Sequence, residues 1–178
     1  MKVKKVLGAV VAAAAAVALC GGAAIRENAA RAPECETRQW PVNLLELVEP
    51  AEYVAKAVWG EARALDKTRQ AAVVWCALNR VDQGWGGIVQ VVTCPHQFEA
   101  YNWWNPVEPE IFDLVLDVFA RWDAEKAGCG DVGRVLPKEY LYFSSRGGYN
   151  YFRTEYDDFS SEWQWEIESP YEEAQAKR

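Results

Sequence analysis

The sequence contains only one histidine, His96, among its 178 residues. A zinc site built from several histidines is therefore excluded, and no metal and no cofactor are predicted. One histidine would still suffice for a thiol enzyme, with Cys76 as its partner. Cys76 lies inside an apolar helical segment and not at a helix N-terminus, where a thiolate would be stabilised. A Cys/His amidase or peptidase is thus a disfavoured alternative.

Positive charge is also scarce. The chain has 19 Lys and Arg residues against 26 Asp and Glu residues, which gives a formal net charge of -7. Because Lys2, Lys4 and Lys5 stand at the extreme N-terminus, the rest of the chain is more acidic still. Binding to nucleic acid requires a basic surface, so no nucleic-acid partner is predicted.

A long apolar run follows these lysines, from Val6 to Ile25. A basic start before an apolar stretch is typical of an export signal, and the run is also long enough for one membrane span. We therefore predict that residues 1–25 form a signal peptide or an anchor in the cytoplasmic membrane, and that residues 26–43 form a linker. The rest of the chain is expected to be exported, either secreted or membrane-anchored.

Export would place four cysteines in a compartment that permits disulfides, namely Cys35, Cys76, Cys94 and Cys129. Four cysteines allow three pairings. Cys76 is expected to be a buried thiol because its surroundings are apolar and helical. Cys94 and Cys129 both fall in loop-like sequence and are the better candidates for a disulfide.

Hydrophobic periodicity and turn residues predict a mainly helical α+β fold with one small β-hairpin. Asp66 is the expected N-cap of a helix, and Gly147-Gly148 is the expected hairpin turn. The predicted elements are a short helix at 44–48, a main helix that opens at Glu49-Pro50, a helix at 67–81, a short helix or a turn at 88–92, an irregular aromatic loop at 93–107, a helix at 109–127 and strands at 140–144 and 149–152. A single domain is predicted at 44–157, with an acidic, aromatic tail at 158–178.

One carboxylate stands in a setting that favours catalysis. Glu61 follows Val58-Trp59-Gly60 at helical spacing from apolar residues, so it is expected on or beside the apolar face of its helix. Partial desolvation would raise its pKa, because the charged form loses its water. A glutamic acid that stays protonated near neutral pH is what cleavage of a glycosidic bond requires.

Three further motifs follow Val58-Trp59-Gly60-Glu61-Ala62-Arg63 along the chain, namely Leu78-Asn79-Arg80, Pro95-His96-Gln97-Phe98 and Asn150-Tyr151-Phe152-Arg153. From about Val54 to about Tyr156, this ordered set resembles the cell wall hydrolase family named after the spore-cortex-lytic enzyme. The resemblance implies a lysozyme-like α+β fold and an enzyme that cleaves the glycan strands of bacterial peptidoglycan, as a muramidase-type glycosidase or a lytic transglycosylase. Peptidoglycan is thus the implied partner. The chain departs from the family pattern at Ala64-Leu65, where many members have Gly-Glu, and at Ser145-Arg146-Gly147-Gly148, where many have Gly-Asp-Gly.

The resemblance also implies roles for single residues. Glu61 would be the catalytic residue, first as general acid and then as general base. A second carboxylate is not required if the N-acetyl group or the 6-hydroxyl of the substrate attacks the sugar carbon; Glu99 and Asp82 are the candidates if one is used. The expected substrate-binding residues are Gln97, Phe98, Tyr142, Phe143, Asn150 and Phe152, and the expected structural residues are Arg63, which would form an ion pair, and Asn79 and Arg80, which would anchor backbone.

Several of these residues have a second interpretation. Gln97 would either bond an acetamido group of the sugar or brace its own loop. The hairpin aromatics would either line a groove or pack the hairpin on the helices. Trp103-Trp104 would either stack on sugar rings or belong to the core. The alternative to an enzyme is a non-catalytic peptidoglycan-binding module, in which the aromatic loop would bind the wall and Glu61 would have no role.

Overall fold

A computed structural model of the chain describes residues 44–156, Glu162 and residues 169–171. The predicted signal or anchor at 1–25, the linker at 26–43 and almost all of the tail at 158–178 lie outside these residues. The described elements, in chain order, are helices α1 (Leu44–Ala62), α2 (Lys67–Asp82), α3 (Ile88–Thr93) and α4 (Pro109–Lys126) and strands β1 (Tyr142–Arg146) and β2 (Tyr149–Arg153). The expected mainly helical α+β fold with one small hairpin is confirmed.

Helix α2 is the centre of the domain. It contacts each of the other three helices, and its side chains are buried almost continuously from Gln70 to Arg80. The sequence predicts a broad apolar face on this helix. In the structure, the helix is instead buried on every side over these residues. Asp66 is the N-cap, as predicted, and its side chain accepts from the backbone N–H of Arg69 at 2.9 Å.

Helix α1 corrects one prediction. The sequence indicates a short helix followed by a second helix that opens at Glu49-Pro50, but α1 is one continuous helix with Pro50 inside it. Pro50 lacks the N–H that would bond a carbonyl one turn earlier, a loss that usually breaks a helix. Directly after Pro50 the helix buries Ala51, Val54 and Val58 completely, and this burial offsets the missing bond.

The hairpin forms at the predicted turn. Gly147 and Gly148 both have positive φ, 61° and 82°, which a two-residue turn between antiparallel strands requires and which glycine adopts without strain. The register pairs Phe143 with Phe152 and Tyr142 with Arg153. Because side chains alternate along a strand, Phe143 and Phe152 share one face of the hairpin and Tyr142 lies on the other.

The predicted disulfide is not formed. Cys94 is an exposed free thiol at the C-cap of α3, whereas Cys129 is half-buried after α4 and packs against the core. The two thiols thus lie in different environments, and no bond joins them. No helix among the described residues is long and apolar enough to cross a membrane.

Candidate active site

Glu61 lies in the last turn of α1 and is half-buried. Its Oε1 accepts a hydrogen bond of 2.8 Å from the backbone N–H of Ala100. The pKa of Glu61 is raised, mainly because burial disfavours the charged form; the Ala100 N–H opposes this, Glu99 adds to it and Arg80 opposes it. The side chain predicted to be a general acid therefore has the environment that keeps a carboxylic acid protonated at a higher pH.

Gly60 brings the aromatic loop onto α1. A Cβ added to Gly60 would lie only 2.1 Å from the carbonyl oxygen of Ala100, so no residue with a side chain fits without moving the loop. This close approach places the N–H of the same Ala100 residue within hydrogen-bond distance of Glu61.

Asn105 fastens the same part of the loop. Its Nδ2 donates to the carbonyl oxygen of Ala100 at 2.9 Å and to that of Lys56, on α1, at 3.0 Å. Ala100 is therefore bonded at both polar atoms, through its N–H to Glu61 and through its carbonyl to Asn105. The sequence analysis assigns no role to Ala100 or Asn105. The one sequence signal is Gly60, because a glycine inside a helical run often has a packing reason, but it does not identify its partner in the loop.

Arg80 ties the Gln97 segment to the hairpin. Its side chain is 3% exposed and donates to the carbonyl of Leu141 at 2.6 Å and to the carbonyl and Oε1 of Gln97 at 3.2 and 3.0 Å. The amide oxygen of Gln97 thus braces its loop, which is the second of its two interpretations. Arg80 forms no ion pair with a carboxylate in the part of the chain that the structure describes.

Asn79 anchors the segment that precedes the hairpin, and Asn150, in β2, anchors the hairpin itself. Asn79 donates through Nδ2 to the carbonyls of Pro137 and Tyr140 at 2.8 and 3.0 Å. Asn150 is buried, accepts from the Ser145 hydroxyl at 2.7 Å and donates to the backbone carbonyl of Glu61 at 3.4 Å. Asn79 and Arg80 therefore anchor backbone, as predicted, and Asn150 joins the hairpin to the helix end that carries Glu61.

The predicted substrate-binding phenylalanines are largely core residues. Phe98 and Phe152 are only 4% and 1% exposed. The Phe143 ring lies between them, with centroids 5.5 Å from each. Packing of the hairpin on the helices accounts for all three rings. Tyr142, on the other hairpin face, contacts Trp85 and Tyr156, so these four residues do not form one wall around Glu61.

The remaining charged candidates divide between two regions. Glu99 is exposed and close enough to raise the pKa of Glu61. Asp82 accepts from Trp122 Nε1 at 2.9 Å and lies 3.6 Å from the ammonium of Lys126, so it belongs to the contact between α2 and α4. The ion pair predicted for Arg63 is not formed with any carboxylate among the described residues. Its guanidinium instead lies 4.3 Å from the ring centre of Trp59.

The aromatic loop presents indole rings to solvent. Trp103 and Trp104 are 55% and 86% exposed, so neither belongs to the core. The Trp103 ring is held by Tyr53, with centroids 5.7 Å apart, and by the ammonium of Lys56, 4.0 Å from its centre. Trp104 has its backbone N–H bonded to Asn102 Oδ1 at 2.9 Å, but its indole stacks on no ring or cation within the described residues.

Cys76 and His96 do not form a reactive pair. Cys76 is fully buried in α2, and burial raises its pKa to about 11, so the thiol stays protonated at neutral pH. His96 is exposed in the loop and adopts a positive φ of 65°. The described part of the chain contains no group of three His, Cys, Asp or Glu side chains placed to hold a metal ion.

The chain was compared with family models, with curated proteins and with solved structures, and no match was found. The arrangement around Glu61 is therefore interpreted from its own chemistry. It offers one half-buried carboxyl group with a raised pKa, one oxygen of which is held by a backbone N–H, beside a loop with two exposed tryptophans.

Proposed function

We propose that this protein cleaves the glycan strands of bacterial peptidoglycan, with Glu61 as the single general acid and base. The observation that carries the proposal is the environment of Glu61: the carboxyl is half-buried, its pKa is raised and its Oε1 is fixed by the Ala100 N–H. These are the properties a glycosidase needs in its acid.

The convergence of distant segments supports the same proposal. The motif segments that contain Arg80, Gln97 and Asn150 are far apart in the chain. Arg80 donates to Gln97 in the aromatic loop, and Asn150 donates to the backbone carbonyl of Glu61. The resemblance to the cell wall hydrolases rests on these same segments. Membership of that family and its lysozyme-like fold remain part of the proposal.

In the proposed reaction, protonated Glu61 donates its proton to the glycosidic oxygen as the bond from that oxygen to the sugar carbon breaks. The sugar carbon, now electron-poor, is attacked by a water molecule or by the 6-hydroxyl of the same sugar. Ionised Glu61 takes up the proton that the attacking hydroxyl releases, which restores the starting acid. Attack by water gives a reducing sugar, whereas attack by the 6-hydroxyl gives a 1,6-anhydro sugar.

Substrate contacts are assigned to the aromatic loop rather than to the buried phenylalanines. Sugar rings stack on aromatic faces, and Trp104 offers an exposed indole, in contact with no ring or cation of the described residues, on the loop that also bonds Glu61. Because the protein is acidic, attraction to an anionic wall by bulk charge is not expected. Recognition therefore depends on contacts of this kind.

A non-catalytic peptidoglycan-binding module is the second candidate, and the exposure of Trp104 favours it equally. Digestion of purified peptidoglycan, followed by mass spectrometry of the soluble products, separates the two. The proposed enzyme releases fragments with cleaved glycan and intact peptide stems, and products one water lighter identify the 1,6-anhydro route. Sedimentation with the wall without release, or release of free peptides from intact glycan, would overturn the proposal.

The site of action follows from the N-terminal sequence. Three lysines followed by the apolar run from Val6 to Ile25 support export, with the catalytic domain outside the cytoplasmic membrane. Cell fractionation tests this. Full-length chain recovered from the soluble cytoplasm would contradict it.

A further inference from the structure

The hydrogen bond between Ala100 and Glu61 distinguishes the two carboxyl oxygens of Glu61. An N–H donor pairs best with the carbonyl oxygen of a carboxylic acid, because the hydroxyl oxygen is the weaker acceptor. When Glu61 is protonated, Oε1 therefore acts as the acceptor from Ala100 and Oε2 carries the proton. Whatever fixes the Ala100 peptide thus determines which oxygen donates.

Asn105 is the side chain that holds Ala100 in place, through the peptide group that follows the donating N–H. Its amide nitrogen bonds the carbonyl of Ala100 and the carbonyl of Lys56, so that one NH2 group joins the loop to α1. Gly60 leaves room for Ala100 to approach α1, but it has no side chain that could bond the loop. Among the described residues, no other side chain is bonded to the carbonyl of Ala100.

We propose that Asn105 is a positioning residue, which holds Ala100 against α1 by its carbonyl so that the N–H of the same residue occupies Oε1 of Glu61 and Oε2 faces the substrate. The proposal rests on the role of Glu61 as general acid. A misplacement of about 1 Å in such a group is enough to cost about a hundredfold in rate, and two bonds from one amide prevent that movement here.

The electrostatic consequence has a definite sign. The Ala100 N–H stabilises the ionised carboxylate and thus opposes the effect of burial on the pKa of Glu61. If the peptide is released, that stabilisation is lost and the pKa of Glu61 rises further. A general acid must be protonated, so activity would then persist to a higher pH while the rate at the optimum falls.

The test compares Asn105→Ala and Asn105→Asp in the full-length chain with the wild type. Aspartate has the shape of asparagine but cannot donate to the two carbonyls. For both variants we expect kcat on peptidoglycan to fall about ten- to a hundredfold, KM to change little, and the basic limb of the pH profile to move upward. The control is Glu108→Ala, which removes another bond between α1 and the residues after the loop, the 2.9 Å bond from Trp59 Nε1 to Glu108, and is expected to keep the wild-type pH profile.

A second measurement does not depend on activity or on the stability of the variants. In a nuclear magnetic resonance titration of the wild-type chain, the amide proton of Ala100 is expected to shift with the ionisation of the Glu61 carboxyl. An Ala100 amide that does not follow Glu61, wild-type kinetics in both Asn105 variants, or the same change of pH profile in Glu108→Ala would each overturn the role of Asn105. A wild-type chain that leaves glycan intact while its Ala100 amide follows Glu61 would instead refute the proposed function and leave the contact standing.

Discussion

Gly60 and Ala100 pack so closely that position 60 has no room for a side chain, since a Cβ on Gly60 would lie 2.1 Å from the Ala100 carbonyl oxygen. Glycine inside a helix normally lowers the free energy of unfolding by about 1 kcal/mol relative to alanine. Position 60, directly before the proposed acid, is nevertheless a glycine, because Ala100 leaves no room for a side chain.

The substitution Gly60→Ala is expected to reduce glycan cleavage at least tenfold, because the new methyl group displaces Ala100 from Glu61. The free energy of unfolding is expected to fall by about 1–3 kcal/mol through overpacking, despite the better helix propensity of alanine. Gly130→Ala is the matched control, because a Cβ at Gly130 meets nothing within 4 Å. Initial rates on purified peptidoglycan and urea denaturation measure both effects. Wild-type activity in Gly60→Ala would show that the contact has no catalytic consequence.

Glu99 provides a prediction for pH dependence. Its negative charge raises the pKa of Glu61, so Glu99→Gln lowers that pKa. Because only protonated Glu61 can donate, the basic limb of the kcat/KM profile is expected to move to lower pH, with little change in rate on the acidic side. The shift should diminish at high salt, since Glu99 is exposed.

The same variant decides whether Glu99 is a second catalytic carboxylate. Loss of activity at every pH, rather than a shift of the profile, would assign it that role and contradict the single-carboxylate mechanism. Glu110→Gln, an exposed acid in the first turn of α4, is the control for the change in net charge.

Arg80 and Arg63 are expected to differ sharply in their effect on stability. Arg80→Ala leaves the carbonyls of Leu141 and Gln97 without their buried donor, and we expect a loss of about 2–4 kcal/mol. Arg63→Ala removes exposed contacts with Trp59, one with its ring and a hydrogen bond of 3.4 Å to its carbonyl, and should cost at most about 1 kcal/mol. Urea denaturation measures both. Equal losses would contradict the assignment of Arg80 as the tie between loop and hairpin.

Trp104 is expected to act in binding and not in folding. Trp104→Ala should weaken binding to insoluble peptidoglycan about two- to tenfold, comparable to the loss of one aromatic contact, with unchanged stability. Tyr156→Ala is the control, because Tyr156 is equally exposed at 84% but follows β2 and contacts Tyr142. Co-sedimentation with purified walls measures both. Equal binding by the wild type and Trp104→Ala would remove this residue from the proposed substrate contacts.

Much of the fold could be predicted from local patterns. Helical periodicity located α2 and α4 within one or two residues, Asp66 was the expected cap, and Gly147-Gly148 formed the expected turn. The helix boundary predicted at Pro50 was wrong. The hydrogen bond that Pro50 lacks is compensated by burial of residues further along the helix, which a local pattern does not reveal.

The site was only partly predictable. Glu61, Gln97 and Arg80 could be singled out because they lie in recognisable motifs. The donor to Glu61 could not, because it is a backbone N–H, which every residue except proline possesses. Asn105 acts on two carbonyls distant in sequence. Phe98 and Phe152 were expected at the substrate because the family resemblance implied that role, and a local pattern does not distinguish an aromatic residue in a groove from one in the core.

The central claim is that Glu61 supplies the proton, and Glu61→Gln tests it most directly. Glutamine keeps the shape and can still accept from Ala100, but it cannot act as an acid. Stability at neutral pH should stay within about 0.5 kcal/mol of wild type or rise, because the variant no longer buries a carboxylate whose pKa is raised by burial.

The measurement is mass spectrometry of the fragments released from purified peptidoglycan by wild type and Glu61→Gln at equal amounts of wall-bound protein. We expect the variant to bind the wall normally and to lose at least about 10²–10⁴-fold of its glycan cleavage. Glycan cleavage by Glu61→Gln at a rate close to that of the wild type would contradict the account.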